Sequence, residues 1–109
     1  NVNAKINYGP TLENLLHNYL RARRWQLSVG KIGKFECDFI ARYNFDKYIY
    51  IQVCQTIAEP ATEEREYRSF YQIRDAYPKY LFTTDMLLQR RDGVTHLNII
   101  DFMSLNQTP

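Results

Sequence analysis

Leu12, Leu15, Leu16, Tyr19 and Leu20 recur at the spacing of one helical face, and that pattern predicts an amphipathic first helix. Gly9-Pro10 breaks the chain before it and Thr11 offers an N-cap. Arg21, Arg23 and Arg24 fall where cations complement the carbonyl end of a helix dipole. The pattern then shortens to strand character, and strands are expected over 25–30, 35–43 and 48–54, with a turn over 31–34.

Asn44-Phe45-Asp46 joins the second and third of these strands, and Asn and Asp favour turns through side-chain bonds to nearby backbone. A three-residue loop sets Asp38 opposite Gln52. Because side chains alternate, one face then carries Glu36, Asp38, Gln52 and Cys54, and the other carries Phe35, Cys37, Phe39, Ile49, Ile51 and Val53. A two-residue turn would slip the register by one and put Asp38 and Gln52 on opposite faces. Any site on this hairpin depends on that parity.

Pro60 and Thr62 introduce a second helix with Glu63 and Glu64 in its first turn, where the dipole favours negative charge. Tyr67, Phe70, Tyr71 and Arg74 follow at helical spacing, and Tyr77-Pro78 is the expected stop. A strand over 79–84, a turn at Arg90-Arg91-Asp92-Gly93, a last strand over 95–100 and a short helix capped by Asp101 complete the chain. The order is helix, three strands, helix, two strands, and the expected fold is a three-layer α/β domain with a central mixed sheet of about five strands flanked by helices, a helix on each side or both on one face.

A length of 109 residues suits one domain, 1–109, and 45% apolar with 24% charged residues is the balance of an ordinary globular protein. Fourteen basic and 12 acidic residues leave a net charge of only +2, which excludes binding to nucleic acid through the overall field. Such contact would have to be local, for instance along a rim of Arg23, Arg24, Lys31 and Lys34; helix-end charge explains the arginines equally well. Cys37 and Cys54 sit in strand segments and read as reduced, packed thiols of a cytoplasmic protein. No apolar run is long enough to span a membrane and no signal peptide opens the chain. His17 and His96 lack ligand spacing and are expected at the surface or an edge. The chain starts at Asn1 rather than Met, so it is expected to be a segment of a longer polypeptide.

An Asp on one strand, an amide on its hairpin partner and a crossover helix after it resemble the PD-(D/E)xK, or restriction-endonuclease-like, fold. Four stretches resemble more closely a domain of unknown function that follows an AAA+ ATPase module in many prokaryotic proteins. These are Leu12-Glu13-Asn14-Leu15, Glu36-Cys37-Asp38-Phe39-Ile40-Ala41, Ile49-Tyr50-Ile51-Gln52-Val53 and Ile99-Ile100-Asp101-Phe102. In active members of the nuclease fold, an acid and a Glu or Gln on adjacent strands bind a divalent metal, usually magnesium, beside a lysine two positions further on. The resemblance implies Glu13 as the acid of the first helix, Asp38 as the central acid, Gln52 at the Glu-or-Gln position and Cys54 at the lysine position.

Cys54 departs from that pattern, since a neutral thiol supplies no ammonium charge and a thiolate would bring the opposite sign. The resemblance therefore implies a degenerate, non-catalytic nuclease-fold module serving recognition of nucleic acid or of a protein. No cofactor is expected within this domain. ATP would belong to an AAA+ module elsewhere in the same chain, because no Gly-rich phosphate loop occurs in these residues. The competing expectation is a metal-dependent phosphodiesterase with Mg2+ on Glu13, Asp38 and Gln52, and with Arg42 replacing the lysine charge. Each residue also has a plainer reading: Glu13 can simply favour the helix N-terminus and Cys54 can simply pack. The aromatic-rich helix over 63–75 is a further candidate, as a self-association surface.

Overall fold

The computed structural model describes residues 7–32 and 35–109, without the side chains of 31, 32, 35 and 36. Helix α1 runs Gly9–Ala22, with Pro10 in its first turn, where a missing N–H costs nothing. It starts earlier than Thr11, and Tyr8 at the N-cap makes no side-chain cap bond. Strands β1 (Gln26–Ile32), β2 (Phe35–Tyr43) and β3 (Lys47–Val53) form an antiparallel meander. Tyr43 pairs with Lys47 across Asn44-Phe45-Asp46, and Asn44 takes a positive φ of 60°. The loop thus has three residues, and the register runs Phe39 opposite Ile51, Ala41 opposite Ile49.

Helix α2 (Pro60–Tyr71) crosses over to β4 (Lys79–Thr83), which lies parallel to β3. α2 ends before the expected stop at Tyr77-Pro78. Arg90–Arg91, expected as part of a turn, form a short strand β5 that pairs antiparallel with β6 (Val94–Asn98) around Asp92-Gly93, both at positive φ. β6 stops at Asn98 because Asn98, rather than Asp101, caps α3 (Ile99–Ser104): its side chain accepts from the N–H groups of Ile100 and Asp101. The result is a mixed six-stranded sheet in the order β1-β2-β3-β4-β6-β5.

Both sheet faces are covered, giving the three-layer α/β arrangement. Leu12, Leu16 and Leu20 of α1 and Ile99 and Phe102 of α3 pack on Ala41, Ile49, Ile51, Val53 and Phe82. Tyr67 and Phe70 of α2 pack on the opposite face against Leu81, Val94 and, at the margin, Tyr50 and Cys54. Alternation along β3 and β4 therefore feeds two cores, and the polar face of the hairpin lies under α2. Among the described residues no helix is long and apolar enough to cross a membrane.

Candidate functional site

At β3 the sheet changes from antiparallel pairing with β2 to parallel pairing with β4, and a cleft of about 760 Å³ opens off the carboxyl end of β3. Crevices in open α/β sheets form at such points, where the connections diverge. Tyr8, Pro10 and Glu13 of the α1 end line one wall, Thr62, Arg65 and Glu66 of α2 the other, and Asp38, Val53 and Cys54 the floor.

A bulge aims Asp38 into this cleft. The β1–β2 ladder runs Ser28 to Ile40 and then Gly30 to Cys37, so Asp38 and Phe39 together oppose Val29. The extra residue is accommodated where Gly30 meets Cys37: a Cβ on Gly30 would lie 2.3 Å from the Cys37 Sγ. Across the hairpin, side chains replace the ladder. The Asp38 N–H donates to Gln52 Oε1 at 2.6 Å, and Asp38 Oδ2 accepts the Val53 N–H at 2.7 Å. Gln52, itself buried, donates through Nε2 to Glu66 Oε1 at 3.1 Å. Arg65 Nε approaches Glu66 Oε2 at 3.6 Å from a largely exposed position.

Three carboxyl groups act on one another here. Burial raises the Asp38 pKa against the Val53 N–H, and burial and then Asp38 raise that of Glu13. Burial first and Asp38 second push Glu66 up to about 7, with Arg65 opposing. Burial, Glu66, Asp85 and Asp38 push the Cys54 thiol up to about 12, so it stays neutral at physiological pH. These donors do not fit a magnesium ion as arranged. The Gln52 oxygen is turned onto a backbone N–H, and among the described residues no three His, Cys, Asp or Glu side chains are grouped to hold a metal.

Glu13, Asp38, Gln52 and Cys54 are thus brought to one end of the hairpin, Gln52 as the link behind the cleft lining. The arginines of the expected rim are elsewhere. Arg23 sits near the far end of α1, about 15 Å along the axis from Glu13. Its guanidinium stacks over Tyr19 at 3.6 Å and bonds the Tyr19 carbonyl and Asn106. Arg24, at φ 71°, borders a depression with Trp25, Tyr43 and Lys47. Lys34 and the Lys31 side chain lie outside the described residues. Arg42, expected as a substitute cation, bonds Gln26 on β1; Arg65 is the cation beside the carboxyl groups.

Sequence reasoning missed Glu66 and Arg65. Glu66 precedes the core residue Tyr67, so it borders the buried stripe of α2 and meets whatever polar group lies beneath; placing α2 over the Gln52 face was the signal. The expectation for His96 needs correction. His96 is 3% exposed, against the expected surface or edge position, because β6 is an interior strand paired on both sides. His17 is half-buried, its ring 5.6 Å from Phe39.

No family model and no solved structure matches the chain. The sequence is 34% identical over 98 residues to an uncharacterized protein of Haemophilus influenzae, an alignment covering 89% of this chain and 24% of that protein. The chain spans about a quarter of the relative's length.

Proposed function

We propose that this chain is a degenerate, non-catalytic nuclease-fold module that serves recognition, working as one part of a longer polypeptide that carries an AAA+ ATPase. The observation that carries the reading is the use made of Gln52. Both ends of its amide are taken up inside the protein, the oxygen by the Asp38 N–H and the nitrogen by Glu66, so the group at the ligand position works as a clasp between sheet and helix. A neutral thiol at Cys54 agrees with this, since it provides no charge to balance a phosphate. The relative of which the chain spans 24% supports a multidomain setting without identifying the companion domain.

The cleft is acidic, which disfavours a polyanion inside it, so recognition through the cleft favours a protein with a basic or amide-bearing segment over nucleic acid. Nucleic acid would have to engage the basic end of α1 instead. One observation favours the competing enzyme reading, a metal-dependent phosphodiesterase: Glu13 and Asp38 converge on the same cleft as Arg65, a cation that could take the place of the lysine charge. Incubation with plasmid and single-stranded DNA in magnesium or manganese separates the two. The expected result is intact substrate. Cleavage that disappears in Asp38→Ala would overturn the proposal.

A further inference from the structure

Beside the cleft, and sharing Thr56 with its lining, a second polar network holds the segment between β4 and β5. Asp85 is fixed by Thr56 Oγ1 at 2.5 Å and by the Ile57 N–H at 3.0 Å, and its own carbonyl accepts from Asn98. At the far end of the segment, just before the β5–β6 ladder begins at Arg90, the Gln89 N–H donates to His96 Nδ1 at 3.1 Å. Since Nδ1 accepts, the imidazole is the tautomer with hydrogen on Nε2, and that hydrogen goes to Thr83 Oγ1 at 2.8 Å. Between the two ends Met86 and Leu87 stand 83% and 90% exposed.

We propose that His96 is an acid-released latch: protonation of Nδ1 expels the Gln89 N–H and frees the β5 end of the segment 84–89, while the Asp85 end stays fixed. An imidazolium has two donors, so a ring nitrogen that must accept from a backbone N–H cannot be protonated with that bond intact. Charges around the ring favour a one-sided release. Asp85 Oδ2 lies 3.9 Å from Nε2 and is drawn toward an imidazolium. On β5, Arg91 is engaged by Glu63 and Glu64 of α2 and by Asp92, and Arg90 is exposed.

Burial holds the His96 pKa below its ordinary 6.5, with Asp85 pulling the other way. The closed form therefore binds fewer protons than an open form with a solvated ring, and opening becomes easier as pH falls below 6.5. The test is an NMR titration of the intact chain, following the His96 ring nitrogens and the hydrogen-exchange protection of the Gln89 amide. Expected are an Nε2–H tautomer at pH 8 and a Gln89 protection factor that drops roughly tenfold per pH unit from 6.5 down to the His96 midpoint. Leu81 and Ile51 amides should remain protected throughout. An Nδ1–H tautomer at pH 8, Gln89 protection that persists through the ring titration, or loss only together with the core amides would each overturn the latch.

Discussion

Asp38 is held by geometry that a charge is not needed to satisfy: its Oδ2 takes one backbone N–H and its own N–H is taken by Gln52. Its charge matters chiefly to its neighbours. Asp38→Asn keeps an acceptor for the Val53 N–H and removes the second-largest cause of the Glu66 shift. The Glu66 midpoint, read by carboxyl carbon NMR, should fall from about 7 yet stay above the ordinary carboxyl range, because burial, the larger cause, is unchanged. An unmoved midpoint would mean that the two groups do not share a field. The thiols test the same electrostatics. With Cys54 pushed to about 12 and Cys37 to about 11 by burial, alkylation of the native protein by iodoacetamide at pH 8 should run at least about a hundredfold slower than that of free cysteine. Labelling of Cys54 at the free-thiol rate would instead reveal an activated sulfur.

At the scale of elements, the bulge in β2 and the loop after it act together. The loop length sets the parity that puts Asp38 and Gln52 side by side, and the bulge turns Asp38 toward α2. Gly30 makes the bulge possible. Gly30→Ala puts a methyl 2.3 Å from Cys37 Sγ and 3.0 Å from Ile40 Cγ1, so the strand pair must shift, at an expected cost of about 1–3 kcal/mol in urea denaturation. Adding Cys37→Ala should return part of that loss and not all, since the Ile40 contact remains. Much of this hairpin was legible beforehand: Asn44 and Asp46 mark the loop, and the apolar run Ile49, Ile51, Val53 marks the core face. The bulge was not, because it arises from how Gly30 meets Cys37 across a ladder that no local pattern encodes. Nor was the β5 strand, whose two arginines read as turn residues beside Asp92-Gly93. His96 was misread for a related reason: a lone histidine in a strand looks like an edge residue until the strand order makes β6 interior.

For the molecule as a whole, the two polar clusters respond to pH with opposite sign. His96 has a depressed pKa, so its contribution to stability is present above 6.5 and is lost as pH falls through its folded value. Glu66 is raised from 4.5 to about 7, so its contribution is complete below 4.5 and is lost as pH rises through 7. Below 6.5, where the two windows overlap, the slopes oppose. Glu66→Gln removes one side of that balance while leaving an amide oxygen to accept from Gln52. The variant should match the native protein near pH 4.5, gain steadily up to pH 7 and exceed it by about 1–3 kcal/mol at pH 8, since each pKa unit corresponds to ~1.4 kcal/mol and the side chain is only 12% exposed. Thermal denaturation across that range checks it. A variant less stable than the native protein at pH 8 would mean that the Glu66 charge is matched by a partner stronger than Arg65, and the cleft would then have to be read as a cation-binding site rather than as the degenerate site proposed above.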